Sequence, residues 1–428
     1  MTTSTKLIIA LLLTANFASA QNTSESTPAT SQQIPVVSKQ PDQQANAAAV
    51  IDRNDDDDDA VKAKTFSKSF PADNSDKIVL SNQYGSIQIK IWDKKEVKAD
   101  VDIKAYSNNE AEAQKLLDAV TIESGKLGDQ IVIKTKMEQN GNWGRGSRFG
   151  RKWRREVKTN YVIYMPASNA LNMSQNYGNV TMEDFSGPLY AKVQYGNFVA
   201  GELKNSNNYI SVQYGNTNIK NVNKAVVKHQ YGSGLNIATA GTLDVDAQYT
   251  AVNLSAINGN AVIKQQYGGG LTIGTVDNLE LDAQYTNVKI STVKGNAKIN
   301  QQYNNLSIGT VGKLDLESQY TNVNLGALKG DARFNMQYNK LNIDEIGSGC
   351  RALNINGNYL NIALGFNSGY NADIDIRVNY ASFKYGENVT ARQTNSDDSN
   401  SKSYTGKIGK GGGADVKIRS NYGGITFK

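Results

Sequence analysis

From residue 177 onward, apolar residues recur at fixed distances from a tyrosine. A Gln-Tyr or Asn-Tyr dipeptide ends at Tyr177, Tyr195, Tyr214, Tyr231, Tyr249, Tyr267, Tyr285, Tyr303, Tyr320 and Tyr338, in steps of 18, 19, 17, 18, 18, 18, 18, 17 and 18 residues. Looser copies stand at Tyr84, Tyr359, Tyr380 and Tyr422. Four residues before the tyrosine come Val245, Ile263, Leu281, Ile299, Leu316 and Phe334; six before it, Leu243, Ala261, Leu279, Ala297, Leu314 and Ala332. Pairs such as Val252 and Leu254, or Val288 and Ile290, follow three and five residues after it, and Ile257, Val293, Val311, Leu328 or Ile346 eight after it. Alternation on each arm is strand periodicity with one face buried, and the change of parity between the fifth and eighth positions marks a corner. Turn residues such as Asn258-Gly259-Asn260 and Lys294-Gly295-Asn296 close the unit.

One such unit cannot bury its own apolar face, whereas stacked units share a continuous core. The pattern therefore predicts an all-β chain, a right-handed β-helix or solenoid with rungs of about 18 residues. About eleven rungs between Tyr177 and Tyr359 make a rod of roughly 50 Å. Strand parity puts the tyrosines on the core face, while a bend at the dipeptide would turn them outward. The residue after each tyrosine alternates (Gly232, Thr250, Gly268, Thr286, Asn304, Thr321, Asn339), which suggests a 36-residue pair of rungs. Glycine or asparagine there tolerates a positive φ and threonine does not, so odd and even rungs are expected to differ locally.

Residues 76–166 repeat less regularly. Ile78 to Leu80, Ile87 to Trp92, Val97 to Ile103, Ile131 to Lys136 and Tyr161 to Met165 read as strands, and Asn108 to Val120 as a helix. A solenoid needs its end covered to block edge-on association, and this α+β segment suits an N-terminal cap. The expected organisation is a signal peptide over 1–20, a disordered polar and acidic linker over 21–73, the cap over 74–166, and the solenoid with C-terminal cap strands over 167–428.

The signal rests on Lys6, the apolar run Leu7 to Leu13 and the small-residue pattern Ala18-Ser19-Ala20, which place the mature start near Gln21. The apolar run is too short to span a bilayer, and no later stretch is long enough. Export to the periplasm, the outer-membrane surface or the medium is the expectation. The linker is rich in Gln, Ser, Thr, Asn and Ala and carries the run Asp55 to Asp59, either a solvated spacer or a partner for the basic segment described next.

The chain carries 46 Lys and Arg against 40 Asp and Glu, a formal net charge of +6. Its most basic segment is Trp143 to Glu156, holding Arg145, Arg148, Arg151, Lys152, Arg154 and Arg155 among Trp143, Phe149 and Trp153. Arginines beside aromatics suit phosphate or carboxylate ligands: lipopolysaccharide, an anionic glycan or an envelope protein, with nucleic acid not expected for an exported chain. A solvated hairpin tip is the plain alternative.

Within the repeat, outward positions alternate in sign: Lys228, then Asp244 and Asp246, Lys264, Glu280 and Asp282, Lys298, Asp315 and Glu317, Arg333. Unlike charges on neighbouring strands support the register, so these carboxylates read as register keys. Cys350 and His229 are the only residues of their kinds. That removes an intramolecular disulfide and a Cys/His zinc site from consideration. No catalytic residue, metal or cofactor is expected.

The segments Ser81 to Asp93, Val97 to Val101, Glu110 to Gln114 and Tyr161 to Pro166 resemble the bacterial β-strand-repeat putative-adhesin domain, related to head domains of putative autotransporter adhesins. The resemblance spans about residues 76–428 and implies a β-helix at the cell envelope with no catalytic residues. The leading expectation is a non-enzymatic envelope or surface binding module. A polysaccharide-acting β-helix enzyme and a periplasmic scaffold or stress-response partner are the alternatives.

Overall fold

A computed structural model describes residues 59–138, 144–148, 151–395 and 400–428. It is 73% strand with one helix, and its solenoid makes about 11 turns with rungs about 18 residues apart. Every rung pairs in parallel with the next. Asn208–Gln213 lies on Thr217–Gln230, that on Leu235–Gln248, and that on Ala251–Gln266, with Leu243, Ala261 and Leu279 in one column. The positions six and four before each tyrosine, and three, five and eight after it, all point inward: Leu243, Val245, Val252, Leu254 and Ile257 are each at most 2% exposed.

The tyrosine is where the structure departs from simple parity. Tyr177, Tyr195, Tyr214, Tyr231, Tyr249, Tyr267 and Tyr285 have φ between 52° and 56°. This left-handed conformation turns the ring outward and resets the alternation. The residue two before the tyrosine and the one after it both face the core: Ala247 is 0% and Thr250 2% exposed. The positive φ therefore sits on the tyrosine itself, in odd and even rungs alike. The following residue shares it only at Asn304 and Asn339.

The 36-residue alternation has a steric origin. Where a long side chain points inward two residues before the tyrosine, the residue after the tyrosine is glycine or a left-handed asparagine, as in Gln265/Gly268 and Gln301/Asn304. Where that inward residue is small, threonine fills the corner, as in Ala247/Thr250 and Ala283/Thr286.

At the N-terminal end the first rung is built from β2 (Lys77–Asn82) and β3 (Ile87–Ile91), which pair in parallel with the array. On their other side β2 and β3 pair in parallel with β6 (Gln130–Met137) and β8 (Arg151–Met165), and beyond these the ladders become antiparallel. β4 (Glu96–Ser107) lies between β1 (Ala60–Pro71) and β8, and β5 (Val120–Leu127) pairs with β6. Helix α1 (Glu110–Asp118) is shorter than expected. It is capped by the Asn109 side chain, which accepts the Glu112 N–H at 2.8 Å, and it packs on β1, β4 and β8. The linker expected over 21–73 is corrected at its end, because residues 60–71 form β1. Phe70 and Ala72 enter the core there, and twelve residues of ladder on β4 supply what local composition lacks.

The C-terminal order also differs from chain order. Asp415–Asn421 inserts between Ala352–Phe366 and Ala372–Asn379, and the last of these is then covered by the antiparallel strand Ser401–Ile408. Both ends of the rod thus finish in antiparallel strands, which protects the parallel array from edge pairing. Among the described residues no helix is long and apolar enough to cross a membrane.

Candidate functional site

Two longitudinal surfaces stand out. The first is a ridge of tyrosines. Thirteen consecutive stacked pairs join fourteen rings from Tyr84 through Tyr359 and Tyr422 to Tyr380, with centroids 4.4–5.3 Å apart. Tyr249 and Tyr267 are each 49% exposed, so one edge and the hydroxyl face solvent while both ring faces are taken by neighbours. Amide ladders flank the ridge, as in Gln213 to Gln230 at 2.8 Å and Asn305 to Asn287 at 3.0 Å. A ligand meets ring edges here, since the stacking faces are already used.

The second surface is the outward side of the strands that precede the tyrosines. Ladder pairing puts Lys228 beside Asp246, Asp246 beside Lys264, and Lys264 beside Asp282. It likewise puts Glu280 beside Lys298 and Asp315 beside Arg333. The sign alternation expected from the sequence is thus carried by the register. Within these two columns, among the described residues, only Lys298 and Glu280 approach closely, at 3.6 Å. One oxygen of Asp246 and one of Asp282 are shielded from solvent and make no hydrogen bond. Two shallow grooves run along this face, of 680 Å³ around Val262, Glu280, Lys298 and Arg333, and of 690 Å³ around Asp246, Lys264 and Asp282. Val226 and Val262 stand exposed between the charged rows. Toward the capped end the same face turns aromatic. Tyr190 stacks on Tyr209 at 4.8 Å, and the Lys192 ammonium, 5.3 Å from the Tyr190 ring, is held above its ordinary pKa by a hydrogen bond to the Tyr190 hydroxyl.

The basic segment forms a hairpin of β7 (Gly144–Arg148) against β8, with Gly146 opposite Trp153. Its arginines do not act alike. Arg145 is exposed. Arg154 is 6% exposed; it meets Asp59 and Glu156 at 2.9 Å each and lies 4.0 Å from the Tyr106 ring centroid. Arg155 meets Glu112 of α1 at 2.7 Å. Arg154 and Arg155 therefore fasten β1 and α1 to β8 rather than facing a ligand. The run's last aspartate does reach the basic segment, as the alternative reading of the linker expected. Backbone strands place Arg148, Arg151 and Lys152 on the hairpin, while Trp143 and Phe149 lie outside the described residues.

His229 is fully buried, both ring nitrogens lack a hydrogen-bond partner, and desolvation pushes its pKa down to about 4. It occupies the inward position that Gln265 and Gln301 hold in other rungs, a core site. Cys350 is buried, which pushes its thiol up to about 11, and the Tyr370 hydroxyl donates to its carbonyl at 2.9 Å.

No protein-family model and no curated protein matches the chain. Similar solved structures include a putative cell adhesion protein from Clostridium sporogenes, 9% identical, covering 86% of this chain and 99% of its own, with a TM-score of 0.16. A putative adhesin from Parabacteroides distasonis is 13% identical over 64% of this chain and 94% of its own, TM-score 0.21. Another from Parabacteroides merdae is 13% identical over 64% of this chain and 96% of its own, TM-score 0.24.

Proposed function

We propose that the chain is a non-enzymatic binding rod of the cell envelope, exported by its N-terminal signal, whose working surface is the charged strand face from Lys228 to Arg333. One observation carries this reading. Charges of both signs recur rung by rung along an open groove, so the surface suits an extended charged partner held at many weak points. Exposed pairs of this kind contribute about 0.2–1 kcal/mol each, too little to explain the pattern by stability alone. Recurrence of the same carboxylates every second rung also favours distributed binding over one special reacting centre. The basic hairpin adds an anion contact at the capped end through Arg145.

The test is binding of the mature chain to anionic glycans, lipopolysaccharide, matrix and envelope proteins at low and high salt. Binding should weaken roughly tenfold when Lys264, Lys298 and Arg333 are changed to glutamine, and should fall with added salt. No binding across that panel, together with no self-association, contradicts the reading. Release of shortened product from a polysaccharide would instead favour the enzyme alternative.

A further inference from the structure

We infer that the charged face docks on a second copy of itself, antiparallel, with each acidic rung of one rod opposite a basic rung of the other. This rests on the binding-rod reading and names its partner. The argument is geometric. Rows of one sign recur every second rung, roughly 9.6 Å apart, with the opposite sign midway. A two-fold axis lying across the rod between two adjacent rungs reverses the rod and carries each row onto one of opposite sign. It also leaves each column of side chains facing the same column.

With the axis between the Glu280 and Lys298 rungs, Glu280 faces Lys298, Lys264 faces Glu317, and Asp244 faces Arg333. Each of these pairs occurs twice by symmetry, and the register given by the strand ladders supports all of them. A parallel pairing without offset instead opposes like charges at every rung. Antiparallel docking also places the two N-terminal caps at opposite ends.

The test combines sedimentation with zero-length Lys–carboxylate cross-linking of the mature chain. A dimer is expected at about 50 mM salt and should weaken at least roughly tenfold by about 0.5 M. A Lys264–Glu317 cross-link is expected only in the dimer band, because those rungs are three apart, roughly 14 Å within one rod. An acidic face (Lys264→Glu, Lys298→Glu, Arg333→Glu) and a basic face (Asp244→Lys, Asp246→Lys, Glu280→Lys, Asp282→Lys, Asp315→Lys, Glu317→Lys) should each be monomeric, with circular dichroism confirming the fold. Their mixture should associate. A wild-type chain that stays monomeric at low salt overturns the proposal, as does a dimer whose cross-links join only adjacent rungs. Monomeric behaviour together with retained glycan or matrix binding overturns self-docking and leaves the binding-rod reading standing.

Discussion

Gln265 and Gly268 share one corner of the solenoid. The Gln265 amide donates to the carbonyls of Thr250 at 3.0 Å and Gly270 at 3.1 Å, and a Cβ on residue 268 would lie 2.1 Å from its nitrogen. His229 and Gln175 also crowd a Cβ on residues 232 and 178, at 2.4 and 2.7 Å, although there the carbonyls of Gly215 and Gly85 lie nearer, at 2.0 and 1.5 Å. Gly268→Ala should therefore cost about 1–3 kcal/mol by overpacking. Gln265→Ala with Gly268→Thr recreates the Ala247/Thr250 corner and should recover most of that loss. Urea unfolding of the single and double variants measures the coupling.

His229 ties stability to pH. Its folded pKa of about 4 lies below the unfolded value near 6.5, so the unfolded chain takes up the proton more readily. The stabilisation is complete above pH 6.5 and is lost as pH falls toward 4, amounting to about 2 kcal/mol by pH 5. His229→Gln, which copies Gln265, should remove this part of the pH dependence. Thermal melts of both proteins at pH 7 and pH 5 show whether the difference closes.

The tyrosine ridge carries strain and stacking together. Tyr267 has φ 52° and stacks at 5.2 and 5.0 Å on its two neighbours. Tyr267→Ala loses both stacks and keeps the left-handed cost, whereas Tyr267→Gly loses the stacks and relieves that cost. Glycine should therefore be the milder change by about 1 kcal/mol. Equal losses, or alanine the milder, would contradict a left-handed tyrosine.

In the cap, Arg154→Ala should destabilise by about 3 kcal/mol, since it leaves Asp59 and Glu156 without their buried cation. Arg145→Ala on the exposed part of the hairpin should leave stability within about 0.5 kcal/mol and lower affinity for an anionic ligand. Parallel melting and binding curves separate the two arginines.

Much of this architecture is legible in spacing alone. The apolar columns at Leu243, Val245, Val252, Leu254 and Ile257, the corner before Gly259, and the alternation of Asp246 with Lys264 all follow from period-two strands in a fixed repeat. The direction of Tyr249 is not legible that way. Parity points it inward, and only stacking with rings 18 residues away on either side rewards the left-handed backbone that turns it out. Strand β1 escapes a compositional reading because its partner, β4, lies beyond the intervening strands. The burial of Arg154 depends on Asp59, distant in sequence, so an arginine-rich segment divides into fasteners and exposed charges only in the fold. The placement of Tyr422 between Tyr359 and Tyr380 depends on which strand edge was left open, which chain order does not encode. The strand-face grooves were equally hidden, since their residues read individually as register keys.

The most direct measurement of the central claim compares binding by the wild type, the Lys264→Gln/Lys298→Gln/Arg333→Gln face variant and Tyr267→Gly on one ligand panel, with protein titrated against immobilised ligand at low salt. The expected result is loss of binding in the face variant and retention in Tyr267→Gly, making the charged face the working surface and the tyrosine ridge a structural spine. Loss in Tyr267→Gly with full binding by the face variant would reverse that assignment.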